Sequence, residues 1–130
     1  MYNHQEVLDA FVEACVVTDE IYWESDVVAY LGFAESTTHF FNTFVTEFLA
    51  FLDAADTSDL KCIREKRSYT ESEQLGHDLW LTCNGHGAGF WDGDWEGKCL
   101  PQILEWCKGK EMNSYVGDDG YVYIFGHEVV

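Results

Sequence analysis

Residues 76–97 read GHDLWLTCNGHGAGFWDGDWEG, and how this stretch is read decides the fold. It concentrates two histidines, an asparagine, four carboxylates, three tryptophans and six glycines. The apolar runs LWLT (79–82) and GFW (89–91) are short enough to be strands, and Asn84-Gly85 between them is the dipeptide that type I′ hairpin turns prefer. On this reading the upstream YTESEQLGHD (69–78) is a capped turn of helix that stops at Gly76, and the sheet begins immediately after it.

Outward from that segment the periodicity changes. Residues 4–17 place Val7, Leu8, Phe11, Val12, Ala14 and Cys15 on one face of a helix and Glu6, Asp9 and Glu13 on another. Residues 36–56, STTHFFNTFVTEFLAFLDAAD, predict the central core helix. Ser36 or Thr37 is available as a cap, eight apolar side chains from Phe40 to Leu52 cover half the circumference, and Asn42, Thr46 and Asp53 face out. A short helix is expected over DLKCIREKRS (59–68), carrying the basic cluster Lys61, Arg64, Lys66 and Arg67. Another is expected in WEGKCLPQILEWCKG (95–109), with Pro101 near its first turn and Gly109 at its end. SYVGDDGYVYIFG (114–126) signals a hairpin about the GDDG turn. The expectation is one α+β domain over 1–130: an acidic helical half (1–68) whose helices pack on a small antiparallel sheet formed by the C-terminal half (69–130).

Composition bounds the function. The chain has 130 residues, 47% of them apolar, which supplies a core for one domain. No run of 18 apolar residues is present and the N-terminus lacks a secretory pattern, so no membrane contact and a soluble intracellular location are expected. Five cysteines without a CxxC pair read as reduced core thiols. The formal net charge is −17, and residues 1–60 hold twelve carboxylates with neither Lys nor Arg. Such a surface disfavours direct nucleic-acid binding and favours a basic partner.

Three chemistries compete for the carboxylates and histidines. His77, Asp78, Asn84, His86 and Asp92 are the residue types of a small hydrolase, with His as base near neutral pH, but no nucleophile elbow or phosphate loop accompanies them. Asp92, Asp94 and Glu96, followed by Gly97, copy the opening of an EF-hand loop. Ile103 stands where the bidentate Glu belongs, and a zinc set of His77, Cys83, His86 and Cys99 lacks recognised spacing. No cofactor is expected. In the third reading Glu6, Asp9, Glu13, Asp19, Glu20, Glu24 and Asp26 form a row of charges. Helical neighbours stand roughly 5–6 Å apart, comparable to phosphates on a nucleic-acid strand, so the row would occupy the cleft of a basic nucleic-acid-binding protein.

GHDLWLTCNGHGAGFWD and the downstream YVGDDGYVYI resemble a family of small proteins encoded by tailed bacteriophages, over roughly residues 70–125. Members of that family are mostly uncharacterised, so the resemblance implies a phage origin, a shared C-terminal module and action in the host cytoplasm, and no reaction. The family often carries Arg where this chain has Cys83 and a basic residue where it has Gly93, so any anion grip of the family is weakened here. Together these readings lead to the expectation of a non-enzymatic acidic inhibitor of a host nucleic-acid-processing or defence enzyme, with a virion or assembly component as a further alternative.

Overall fold

The computed structural model describes residues 2–18, 32–63, 69–85, 89–90 and 93–126. Helix α1 (His4–Thr18) starts where the Asn3 side chain accepts the backbone N–H of Glu6 at 3.0 Å, satisfying one of the orphan donors of the first turn. It buries Val7, Ala10, Phe11, Ala14 and Cys15 along one stripe. Helix α2 (Glu35–Ala54) buries Phe41, Phe44, Val45, Phe48 and Leu52, at the predicted spacing. Its cap position is Ala34, which makes no side-chain cap hydrogen bond; neither Ser36 nor Thr37 caps it. Thr37 is instead buried inside the first turn, where its hydroxyl donates to the carbonyl of Val122 at 2.9 Å.

Helix α3 (Glu71–Cys83) corrects the reading of the central segment. Thr70 and Glu73 form a capping box, and the helix then runs through Gly76 and the whole of LWLT. The physical reason is the neighbour. α1 lies so close that a Cβ on Gly76 would stand 2.2 Å from the carbonyl oxygen of Val7. Gly76 is thus a point of backbone contact between helices rather than a stop. Leu79, Trp80 and Thr82 are buried and Leu81 is partly so, which makes this a helix enclosed nearly all round, and such a segment resembles a buried strand in sequence. Asn84 ends the helix with φ −101°, and only Gly85 has positive φ (71°), so Asn84-Gly85 is a helix terminus and not a type I′ turn.

The sheet content is two separate two-stranded antiparallel ladders. Strand β1 (Lys61–Cys62) pairs with β2 (Trp95–Glu96) in the register Lys61↔Glu96 and Cys62↔Trp95. The helix expected over 59–68 is therefore replaced at its start by β1, and residues 64–68 lie outside the described residues. Helix α4 (Leu100–Cys107) has Pro101 in its first turn, and Gly109 follows it at φ 78°. Strands β3 (Met112–Val116) and β4 (Val122–Gly126) form the expected hairpin about GDDG. Its free edge is held by the chain entering α2: the N–H of Ala34 reaches the carbonyl of Val122 at 3.0 Å, and the N–H of Val122 reaches that of Gly32 at 2.9 Å. The chain is a single α+β domain, with helices in the N-terminal half and small antiparallel sheets toward the C-terminal half.

The core centres on aromatic side chains from three helices. Phe11 of α1 lies edge-on to Phe41 and Trp80 and stacks on Phe44, with ring centroids 5.4–5.8 Å apart. Phe48 meets Phe90 and Trp106 farther along α2. Such pairs add about 0.5–1.5 kcal/mol each beyond area burial, which fixes the mutual register of α1, α2 and α3.

Candidate functional site

Of the hydrolase set, the described residues His77, Asp78 and Asn84 each face different surroundings. His77 and Asp78 are adjacent on α3 and so point in different directions. The imidazole of His77 packs against Tyr69, ring centroids 4.9 Å apart, and its Nε2 stands 3.6 Å from a carboxylate oxygen of Glu13. Asp78 is 2% exposed. Its Oδ2 accepts the indole N–H of Trp95 at 2.6 Å and the side-chain amide of Gln74 at 3.0 Å. A general base must reach its substrate's proton, and Asp78 faces its own core.

Asn84 lies nearly two turns further along α3. Its amide donates to the carbonyl of Trp80 at 2.9 Å, and its carbonyl oxygen accepts the backbone N–H of Met112 at 2.9 Å. It therefore fastens the end of α3 to the first residue of β3. His86 and Asp92 lie outside the described residues. Clefts lined by described residues at Phe51–Trp106, between α1 and α2, at Ser58–Lys98 and at Tyr2–Ser72 include none of His77, Asp78 or Asn84.

Of the calcium-like pattern, Asp92 lies outside the described residues, while Glu96 and the backbone of Asp94 belong to the β1–β2 ladder. Trp95-Glu96 is strand β2, and Glu96 pairs with Lys61 at 3.1 Å across the ladder. The carbonyl of Asp94 accepts the N–H of Ile63 at 2.7 Å. Among the described residues, no three His, Cys, Asp or Glu side chains are grouped as metal ligands. Of the zinc set, Cys83 is buried against Cys107, whose hydrogen bond, together with burial, holds the Cys83 thiol far above its ordinary range. Cys99 is buried elsewhere in the core.

Trp80 is buried with its N–H on the hydroxyl of Thr18 at 2.8 Å, and Trp95 is buried on Asp78. Trp106 is half-buried against Phe44, Phe48 and Phe51, with the ammonium of Lys110 4.4 Å from its ring centroid. Trp91 lies outside the described residues.

The N-terminal acidic row divides between two sides of α1. Glu6 takes a hydrogen bond from the hydroxyl of Thr70 at 2.7 Å, and Glu13 stands beside His77, so both border α3. Asp9 is exposed on the α2 side and accepts from Gln5 at 2.7 Å. Asp19, Glu20, Glu24 and Asp26 lie outside the described residues. Glu35, Glu47 and Asp53 of α2 are also exposed, Asp53 as its place on the outward face of the helix predicts. Among the described residues, no Lys or Arg lies within salt-bridge distance of Glu6, Asp9, Glu13, Glu35, Glu47 or Asp53.

Sequence reasoning also missed the groove between α1 and α2, a cavity of about 620 Å³. Leu8, Val12, Phe33 and Phe41 supply its apolar wall, and Asp9, Glu35 and His39 its polar edge. The signal was present in α1. Leu8 and Val12 sit at i, i+4, to one side of the stripe that runs through Val7, Phe11, Ala14 and Cys15, so α1 has more apolar surface than one neighbour covers.

No protein-family model, curated protein or solved structure matches the chain. No helix among the described residues is long and apolar enough to cross a membrane.

Proposed function

We propose that this chain is a phage-encoded acidic binding protein that acts in the host cytoplasm. In this reading it inhibits a nucleic-acid-processing or defence enzyme by covering that enzyme's basic nucleic-acid-binding surface. The observation that carries the reading is the uncompensated charge of the first two helices. Residues 1–60 contain no Lys or Arg, and among the described residues no Lys or Arg pairs with the exposed carboxylates of α1 and α2; Glu13 has only the imidazole of His77, at 3.6 Å, beside it. Like charges at neighbouring helical positions destabilise a helix by about 0.2–0.5 kcal/mol per pair. The aromatic core beneath them offsets that cost and holds the charges on a rigid frame. A rigid frame loses little conformational freedom on binding. A second support is that Asp78 and Asn84, two of the five residues of the alternative catalytic set, are committed to internal hydrogen bonds.

The test is affinity capture from a bacterial lysate with the tagged chain, at 0.05 and 0.5 M salt, with and without competing DNA. The expected result is retention of a nucleic-acid enzyme at low salt and its release by salt or by DNA, because screening shortens the reach of surface charge. The combined charge reversal of Glu6, Asp9, Glu13 and Glu24 should abolish retention while circular dichroism stays unchanged. Retention that survives both the reversal and high salt would sink the proposal.

A further inference from the structure

We infer that the groove between α1 and α2 is the place where the partner docks, and that it takes a short segment in which one or two apolar side chains are flanked by Lys or Arg. The inference rests on the proposed function in one respect, the basic character of the partner.

The groove combines two features that point to one occupant. Its wall is apolar: Leu8 and Val12 on α1, Phe33 before α2, and Phe41 within it. Its edge is anionic, because Asp9 and Glu35 are both exposed there beside His39, and among the described residues neither carboxylate has a Lys or Arg within salt-bridge distance. The apolar wall alone would suit any hydrophobic peptide, and the carboxylates alone any cation. Only a segment that is apolar at its centre and basic at its flanks is complementary to both, and an acidic or neutral segment would leave the rim charges opposed or unpaired.

The dimensions agree. Gln5 to Val12 is two turns of α1, roughly 10 Å by the helical rise, and the cavity volume falls within the range of ordinary ligand pockets. That accommodates anchors at i and i+4 of a helical segment, or at i and i+2 of an extended one. A hydrogen bond between the imidazole Nε2 of His4 and the hydroxyl of Thr46, at 3.0 Å, joins the two helices beyond Gln5 and Asn42 and fixes their spacing.

The experiment is a fluorescence-anisotropy titration of the full chain with three labelled twelve-residue peptides. The first carries two Leu at i, i+4 among Lys and Arg; the second replaces both Leu by Ser; the third keeps the Leu and replaces every base by Glu. The expected result is binding of the first at least tenfold tighter than the second, and none of the third. Val12→Gln in the chain should weaken the first peptide about tenfold and leave the second unchanged. The exposed pair Asp9→Asn with Glu35→Gln, which leaves the core untouched, should weaken it severalfold in 0.05 M salt and by less than twofold in 0.5 M.

Equal binding of the Leu and Ser peptides, unmoved by Val12→Gln, overturns the groove and leaves the acidic-surface reading standing. Failure of both basic peptides to bind at low salt overturns the groove and weighs against the acidic-surface reading as well. Sedimentation of the chain alone decides the competing occupant: a dimer that Val12→Gln dissociates would assign the groove to a second copy and overturn the proposal.

Discussion

The indole N–H of Trp95 donates to the carboxylate of Asp78 across 2.6 Å, from the strand that ends the central motif to the helix that begins it. Both residues are buried, and Gln74 donates to the same oxygen. Asp78→Ala removes the acceptor and leaves two N–H groups without it in the core. At about 1–3 kcal/mol for each stranded donor, the expected loss is about 2–6 kcal/mol, a large part of the stability of a domain this size. Asp78→Asn retains a carbonyl acceptor and should cost less. Urea unfolding followed by tryptophan fluorescence measures both. An Asp78→Ala protein as stable as the parent would reopen a catalytic role for this carboxylate.

Gly76 carries a prediction of the opposite kind, since the change looks helpful locally. Alanine is favoured over glycine inside a helix by about 1 kcal/mol. Here the added methyl would fall 2.2 Å from the carbonyl oxygen of Val7 and 3.0 Å from the backbone nitrogen of Phe11. Backbone atoms cannot rotate away, so α1 and α3 must separate, and overpacking of this sort costs about 1–3 kcal/mol or more. Gly76→Ala should therefore lower the melting temperature by several degrees despite the better helix propensity. A rise in melting temperature would show that the two helices stand farther apart than described.

These two residues also show what was and was not legible in the sequence. The stripes of α1 and α2, Pro101 at the start of α4 and the GDDG hairpin are local signals, and they place those elements correctly. The error at LWLT has a long-range cause. Whether glycine ends a helix or permits close approach depends here on Val7, a distant neighbour in the chain, and no local pattern reports it. Asn84 repeats the lesson, because its partner on β3 is the N–H of Met112. The groove was legible only in part. The second apolar pair Leu8 and Val12 is visible in α1, but its pairing with Phe33 and Glu35 depends on the angle at which α2 returns.

The hairpin tip should titrate in a defined sense. Hydrogen bonds from the Tyr123 hydroxyl at 2.6 Å and the Tyr121 backbone N–H at 3.0 Å hold the Asp119 carboxyl below its ordinary value of 3.8. A lowered folded-state value means that the contribution to stability is present above 3.8 and is lost as pH falls through the folded value. The same bond raises the Tyr123 hydroxyl above its ordinary value of 10.0, so its contribution is present below pH 10 and is lost at higher pH, as the hydroxyl ionises. Carboxyl-carbon NMR should place the Asp119 midpoint below 3.8, and Tyr123→Phe should move it back up. An unmoved midpoint would show that the Tyr123 contact is absent in solution.

Thiol chemistry tests the packing of the two helix ends. Cys83 closes α3 and Cys107 closes α4; both are buried, and the hydrogen bond between them, with burial, raises the Cys83 thiol far above its usual range. The thiolate is the species that attacks an alkylating reagent, so Cys83 is protected twice, by access and by protonation. Burial also raises Cys99, whereas Cys62 on β1 is only half-buried. Iodoacetamide at pH 8, followed by peptide mass spectrometry, should therefore label Cys62 first. Cys83 should react only on the timescale of unfolding, because a folded chain excludes the reagent until α3 and α4 part. Asn84→Ala, which cuts the tie from α3 to β3, should accelerate Cys83 labelling more than Cys62 labelling. Equal acceleration at both sites would mean that the substitution loosens the whole domain rather than the junction of α3, α4 and β3.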